Sequence, residues 1–189
     1  SGDYDAAKDS DIVIITSGVA RKPGQTRLDL TKINVGITKD IAQNIAKAAP
    51  NAIYIIVSNP VDILTYVFIK ESGIPEKHII GSGTSLDTAR LRSLLAEECC
   101  ISSKNGDSSF VPWSAAHIAG ISIQEYYEKY SPNRGKISFD PDRIIDYVRT
   151  SGGVVIAIKG ATFYAIAVSV GRLCKLVLSA HNSVATVST

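Results

Sequence analysis

Methionine is absent from all 189 residues, position 1 included. Ser1 is therefore not read as a natural translation start, and the chain is expected to be an internal piece of something longer. Cysteine is scarce: Cys99, Cys100 and Cys174 are an odd number with no C-x-x-C spacing. That argues against a disulfide framework and fits a reducing, cytoplasmic setting. No signal-peptide pattern is read, and no apolar run is long enough to span a bilayer. Charge of one sign is also lacking, since 20 Lys and Arg against 18 Asp and Glu leave a net +2. There is thus no bulk case for nucleic acid or a membrane surface as partner, and any attraction for anions must be local.

What is present is ordinary globular material, 45% hydrophobic and 20% charged. The length suffices for one sizeable core and part of a second. Asp11–Thr16 (DIVIIT) and Asn51–Val57 (NAIYIIV) read as buried parallel strands, and His78–Ile80 as a short third one. Between the first two lies a basic Pro-Gly loop with Arg21, Pro23, Gly24 and Arg27. Leu30–Ala48 follows with Ile33, Ile37, Ile41 and Ile45 at helical spacing, and Val61–Lys70 reads as a second helix. A third helix runs from the Gly81-Ser82-Gly83 turn to about Glu98. Strands alternating with helices predict a parallel sheet covered on both faces.

The pattern changes after Cys99, which places a soft boundary near Cys100 and two domains, 1–100 and 101–189. Asp140–Ala180 reads as one long helical region, interrupted around Ser151-Gly152-Gly153 and again near Gly160. Val184–Thr189 reads as a strand.

In open parallel sheets, ligands bind beyond the carboxyl ends of the strands. Ser17-Gly18, Ser58-Asn59 and Gly81-Ser82-Gly83 fall at those ends. Just beyond them Asp87 and Arg90, three residues apart, share a helical face. An Arg beside an Asp suits recognition of a small carboxylate, and it equally describes an ordinary surface ion pair. The convergence predicts a small anionic-ligand site.

The segments TSGVARKPGQTRLDL, IVSNPVDILTY, IGSGTSLDTARLRSLLAEE, GDSSFVPWS and KGATFYAIA, in this order, resemble the lactate/malate dehydrogenase family, its bacterial L-lactate members most closely. The resemblance implies an α/β fold: a doubly wound parallel Rossmann sheet, its first half missing, followed by a truncated α+β catalytic domain. It implies an NAD-dependent enzyme that passes a hydride between the cofactor and a 2-keto or 2-hydroxy acid, pyruvate and L-lactate, and that is a homotetramer. Arg90 would fork onto the substrate carboxylate, and Arg27, delivered by a Pro23-Gly24 lid, would polarise the carbonyl. Asn59 would bond the same oxygen in the same pocket, and Thr162 would shape that pocket. Gly18, Val19, Val57, Ser58, Asn59 and Ser82 would contact the dinucleotide. Asp87 would orient a proton-shuttling histidine. Arg92 would bind a phosphate of fructose 1,6-bisphosphate, or be a surface cation. Arg21 is the residue that malate enzymes use for a second carboxylate; Thr162 and Pro112-Trp113-Ser114 are lactate-like.

The chain departs from the family pattern in three places. The Gly-Glu-His expected before Gly106–Ser108 is not there, because Ser103-Lys104-Asn105 runs straight into Gly106. One alignment leaves about nine residues out at that point, a length set against ordinary loop tolerance. Another puts Asn105 in the histidine position, where an amide shuttles no proton. His78, His117 and His181 read as structural or solvent-facing. The Gly-x-Gly-x-x-Gly fingerprint does not occur, and a further C-terminal stretch is also missing. The expectation is a subset of a full enzyme, with a non-catalytic dinucleotide-binding relative as the alternative.

Overall fold

The computed structural model describes residues 3–19, 27–100, 113–160, 162–179 and 181–189. They divide into two compact units, Ser1–Gly83 with Val187–Thr189, and Thr84–Thr186. The division falls at Gly83/Thr84 rather than near Cys100.

The first unit is a three-stranded parallel sheet in the order β1 (Ile12–Ile15), β2 (Ile53–Ile56), β3 (Ile79–Gly81). Ile12 pairs with Ile53, Ile15 with Ile56, and Tyr54 with Ile79. Helix α1 (Arg27–Ala48) joins the first two strands and α2 (Val61–Ser72) the second pair. Helix α1 opens three residues before the expected Leu30, with Asp29 in its first turn, where a carboxylate favours the helix dipole. Both helices pack over the sheet face that carries Ile15, Tyr54 and Ile56, burying Ala42, Ile45, Leu64 and Phe68 with them. On the other face Ile14 is 44% exposed, while its register partner Ile55 on the central strand is fully buried. The buried stripe of α1 is also offset from the one read in the sequence. It runs through Asn34, Thr38, Ala42 and Ile45, while Ile33 is exposed.

The C-terminal segment forms a single antiparallel bridge to β3 instead of a strand. The Gly81 N–H donates to the Ser188 carbonyl at 2.7 Å and the Ser188 N–H returns to Gly81 at 3.0 Å. Glycine is required at 81 because a side chain there would run into Thr65 and Ser188.

In the second unit, α3 (Ser85–Glu98) packs on α5 (Pro141–Lys159) and α6 (Tyr164–Val177), which is why it parts from the sheet it follows in sequence. A two-stranded hairpin, β4 (His117–Ile118) and β5 (Ile121–Ser122), leads into the short helix α4 (Ile123–Glu125) and a wider turn at Tyr126–Tyr130. Cys99, Ala116, Ile123 and Tyr127 form one core cluster of this unit, with Trp113 and Phe139 packed on it. Helix α5 passes through Ser151-Gly152-Gly153 unbroken, contrary to expectation. Asp140 caps its first turn, Pro141 starts it, and it ends at Gly160, whose φ of 78° is the left-handed stop. No helix among the described residues is long and apolar enough to cross a membrane.

Candidate functional site

The exits of the three strands of the first unit are tied into one rim. Beyond β1 and β2 the ladder continues, as the Val57 N–H donates to the Ile15 carbonyl at 2.9 Å. The Ser58 hydroxyl, buried, donates to the Ser17 carbonyl at 2.6 Å. The Ser82 N–H donates to the Ile56 carbonyl at 2.8 Å, which brings the β3 exit alongside. The rim's lateral tie comes from a residue the sequence reading passed over. Asn34 of α1 accepts from the Val19 N–H at 2.9 Å and donates to the Asn59 carbonyl at 2.8 Å and the Val19 carbonyl at 3.4 Å. Its only sequence signal is a polar side chain in line with Thr38 and Ala42 on the buried stripe. Gly18 lies against it, and a side chain at 18 would meet the Asn34 oxygen at 3.1 Å.

Gly18, Val19, Val57, Ser58, Asn59 and Ser82 are therefore neighbours, as expected. Val19 and Asn59 are exposed at this rim. An exposed apolar side chain, an exposed amide and a bound-down hydroxyl at the carboxyl ends of parallel strands fit one end of a dinucleotide. The sequence supplies no glycine fingerprint for its pyrophosphate.

In the second unit the Arg90 Nη1 lies 2.7 Å from the Asp87 Oδ1. The Arg90 side chain is 20% exposed and that of Asp87 51%. The pair is the i,i+3 ion pair that spacing suggested, and it holds the guanidinium in one orientation. Gly152 of α5 lies beside it, and a Cβ there would stand in ordinary contact, 3.5 Å from the guanidinium nitrogens. Asp87 also lines a cavity of about 380 Å³ with Thr84, Leu91, Trp113, Ile145 and Arg149. No histidine is among the described residues of its wall. Arg92 faces elsewhere, into a small cavity of about 70 Å³ shared with Arg172, Ser169 and Thr186. Thr162 is half-buried just before α6.

Asn59 belongs to the first unit and Arg90 to the second. Arg27 opens α1, but its side chain, like Arg21, Asn105 and Gly106–Ser108, lies outside the described residues.

The foot of α3 carries a second polar group that spacing did not reveal. Glu98 is buried and receives Arg143 at 2.7 Å and 2.9 Å on its two oxygens, and the Tyr127 hydroxyl at 2.6 Å. Burial pushes its carboxyl up. The Arg143 and Tyr127 hydrogen bonds and the Arg143 charge outweigh that and hold it below the ordinary glutamate value. This network fixes α3, which carries Asp87 and Arg90, against α5.

Two family descriptions match the chain in succession. "Lactate/malate dehydrogenase, NAD binding domain" covers residues 1–81, and "lactate/malate dehydrogenase, alpha/beta C-terminal domain" covers 84–189. L-lactate dehydrogenase 1 of Clostridium acetobutylicum is 45% identical over all of this chain and 62% of its own length. MGS-M5, a lactate dehydrogenase from a Medee basin deep-sea metagenome library, superposes at a TM-score of 0.88 with 38% identity, over all of this chain and 62% of that one. The malate dehydrogenase of Cryptosporidium parvum does so at 0.85 with 33% identity and the same coverage. The chain thus spans about three-fifths of the length of the relatives it matches.

Proposed function

Because this chain belongs to the lactate/malate dehydrogenase family, we propose that the whole protein is an NAD-dependent oxidoreductase interconverting pyruvate and L-lactate. The nicotinamide, when bound, supplies or takes the hydride. Arg90 binds the substrate carboxylate with the guanidinium N–H groups that Asp87 leaves over, in the two-pronged way an ammonium could not. The Asn59 amide donates to the substrate carbonyl, and Arg27 stabilises the negative charge that gathers on that oxygen during reduction. Asp87 orients the imidazole that exchanges a proton with the same oxygen. Gly18, Val19, Val57, Ser58 and Ser82 hold the nicotinamide end of the cofactor, and Thr162 shapes the substrate pocket.

The observation that carries this reading is the Asp87–Arg90 pair: a cation held 2.7 Å from a carboxylate that itself lines a cavity of about 380 Å³. It is tested by following NADH absorbance in the full-length protein after adding pyruvate. Turnover is expected; binding of NADH without turnover would favour a non-catalytic relative. Arg21 supports malate as a second reading, and faster reduction of oxaloacetate than of pyruvate would favour it. The same reading includes a cytoplasmic homotetramer in which Arg92 binds a phosphate of fructose 1,6-bisphosphate. Arg92→Gln should then abolish activation by that ligand, and unchanged activation would refute the assignment.

A further inference from the structure

We infer that Asn34 is a positioning residue for the reaction: one buried amide sets both the cofactor-contact segment at Val19 and the substrate-contact residue Asn59. The inference rests on the reading above. Three hydrogen bonds carry it. The Asn34 side chain has one acceptor oxygen and two N–H donors. Its oxygen takes the Val19 N–H at 2.9 Å, and its nitrogen reaches the Asn59 carbonyl at 2.8 Å and the Val19 carbonyl at 3.4 Å. The residue is 2% exposed, so water does not stand in for a lost bond without the site opening. The two segments it joins leave different strands, and neither is near Asn34 in sequence. The Ser58 hydroxyl bonds the Ser17 carbonyl, one residue before Asn59 and two before Val19, which leaves Val19 and Asn59 to Asn34. Asn59 itself is exposed, and what Asn34 fixes is the backbone from which its side chain springs.

A residue that merely fastened α1 to the sheet would share this burial, so the test separates stability from function. In the full-length enzyme, Asn34→Asp keeps the shape and an acceptor for the Val19 N–H but offers no N–H to the Asn59 carbonyl. With NADH saturating, its kcat for pyruvate should fall about tenfold, the cost of one buried hydrogen bond. Asn34→Ala releases Val19 as well, and its NADH affinity, read by fluorescence titration, should weaken about tenfold in addition. Folded variants whose kcat and NADH affinity both stay within about twofold of wild type would overturn the inference, whatever their melting temperature. So would failure of both variants to fold, which would leave Asn34 a residue of stability alone. Wild-type enzyme that neither binds NADH nor reduces pyruvate would overturn the parent reading itself, and the inference with it.

Discussion

Glu98 shows how far one residue's environment can differ from what its type suggests. A glutamate in a Glu97-Glu98 pair near a helix end reads as solvent-exposed, yet its carboxylate is enclosed and fully bonded by Arg143 and Tyr127. Removing the cation leaves a buried charge with less compensation, so Arg143→Ala should destabilise the second unit by about 2 kcal/mol, measured by urea denaturation. The same group makes stability depend on pH. Its folded pKa is depressed, so the unfolded chain binds its proton at higher pH than the folded one does. The contribution is present above the ordinary glutamate value of about 4.3 and is lost as pH falls through the lower folded value. Glu98→Gln should therefore flatten the acid limb of the denaturation midpoint below about pH 4.3 and leave its slope near neutrality unchanged. Next to it, burial first of all pushes the Cys99 thiol up to about 11, while Cys100 is exposed. Brief iodoacetamide treatment of the folded protein near neutral pH should label Cys100 and spare Cys99, as read by peptide mass spectrometry.

The elements were legible where burial and pattern agree. DIVIIT and NAIYIIV are strands because continuous β-branched runs of that length suit a sheet covered by helices. The reading failed where tertiary contacts outvoted local preference. Gly152 and Gly153 cost a helix about 1 kcal/mol each relative to alanine. Helix α5 runs through them because its Asp140 cap, Pro141 start and buried Ile144 set it from the N-terminal side. A Cβ at Gly152 would touch the Arg90 guanidinium at ordinary contact distance, whereas Gly153 has nothing within 4 Å of a would-be Cβ. Gly153→Ala should therefore raise stability by about 0.8 kcal/mol, seen as a higher denaturation midpoint at unchanged slope. A lower midpoint would mean that α5 needs its local flexibility. Asn34 and Glu98 were invisible for a related reason. A polar residue on a helix can be told from a solvated one only when its partners are known, and here those partners stand 15 to 45 residues away. The site motifs at the strand exits were legible because they rest on strand order and glycine placement, which the chain carries locally.

At the scale of the whole molecule, what needs an owner is the apolar surface of the second unit. Val154 is 56% exposed, Ile156 50% and Ile158 76%, and Phe163, Tyr164 and Val168 beyond the helix stop are more exposed still than Val154. Val154 and Ile158 are four apart and share one face of α5. Single exposed apolar residues are ordinary; a run of this kind on two successive helices suits a surface for another body to cover. Under the homotetramer reading that body is a second copy. Ile158→Lys would then set a charge against an apolar partner surface and should lower the mass of the full-length protein in multi-angle light scattering. Exposed Lys159, which already bears a charge beside it, serves as the control, and Lys159→Gln should leave the mass where it is. A full-length protein whose mass is the same with Ile158→Lys would show that this face is not where the copies meet.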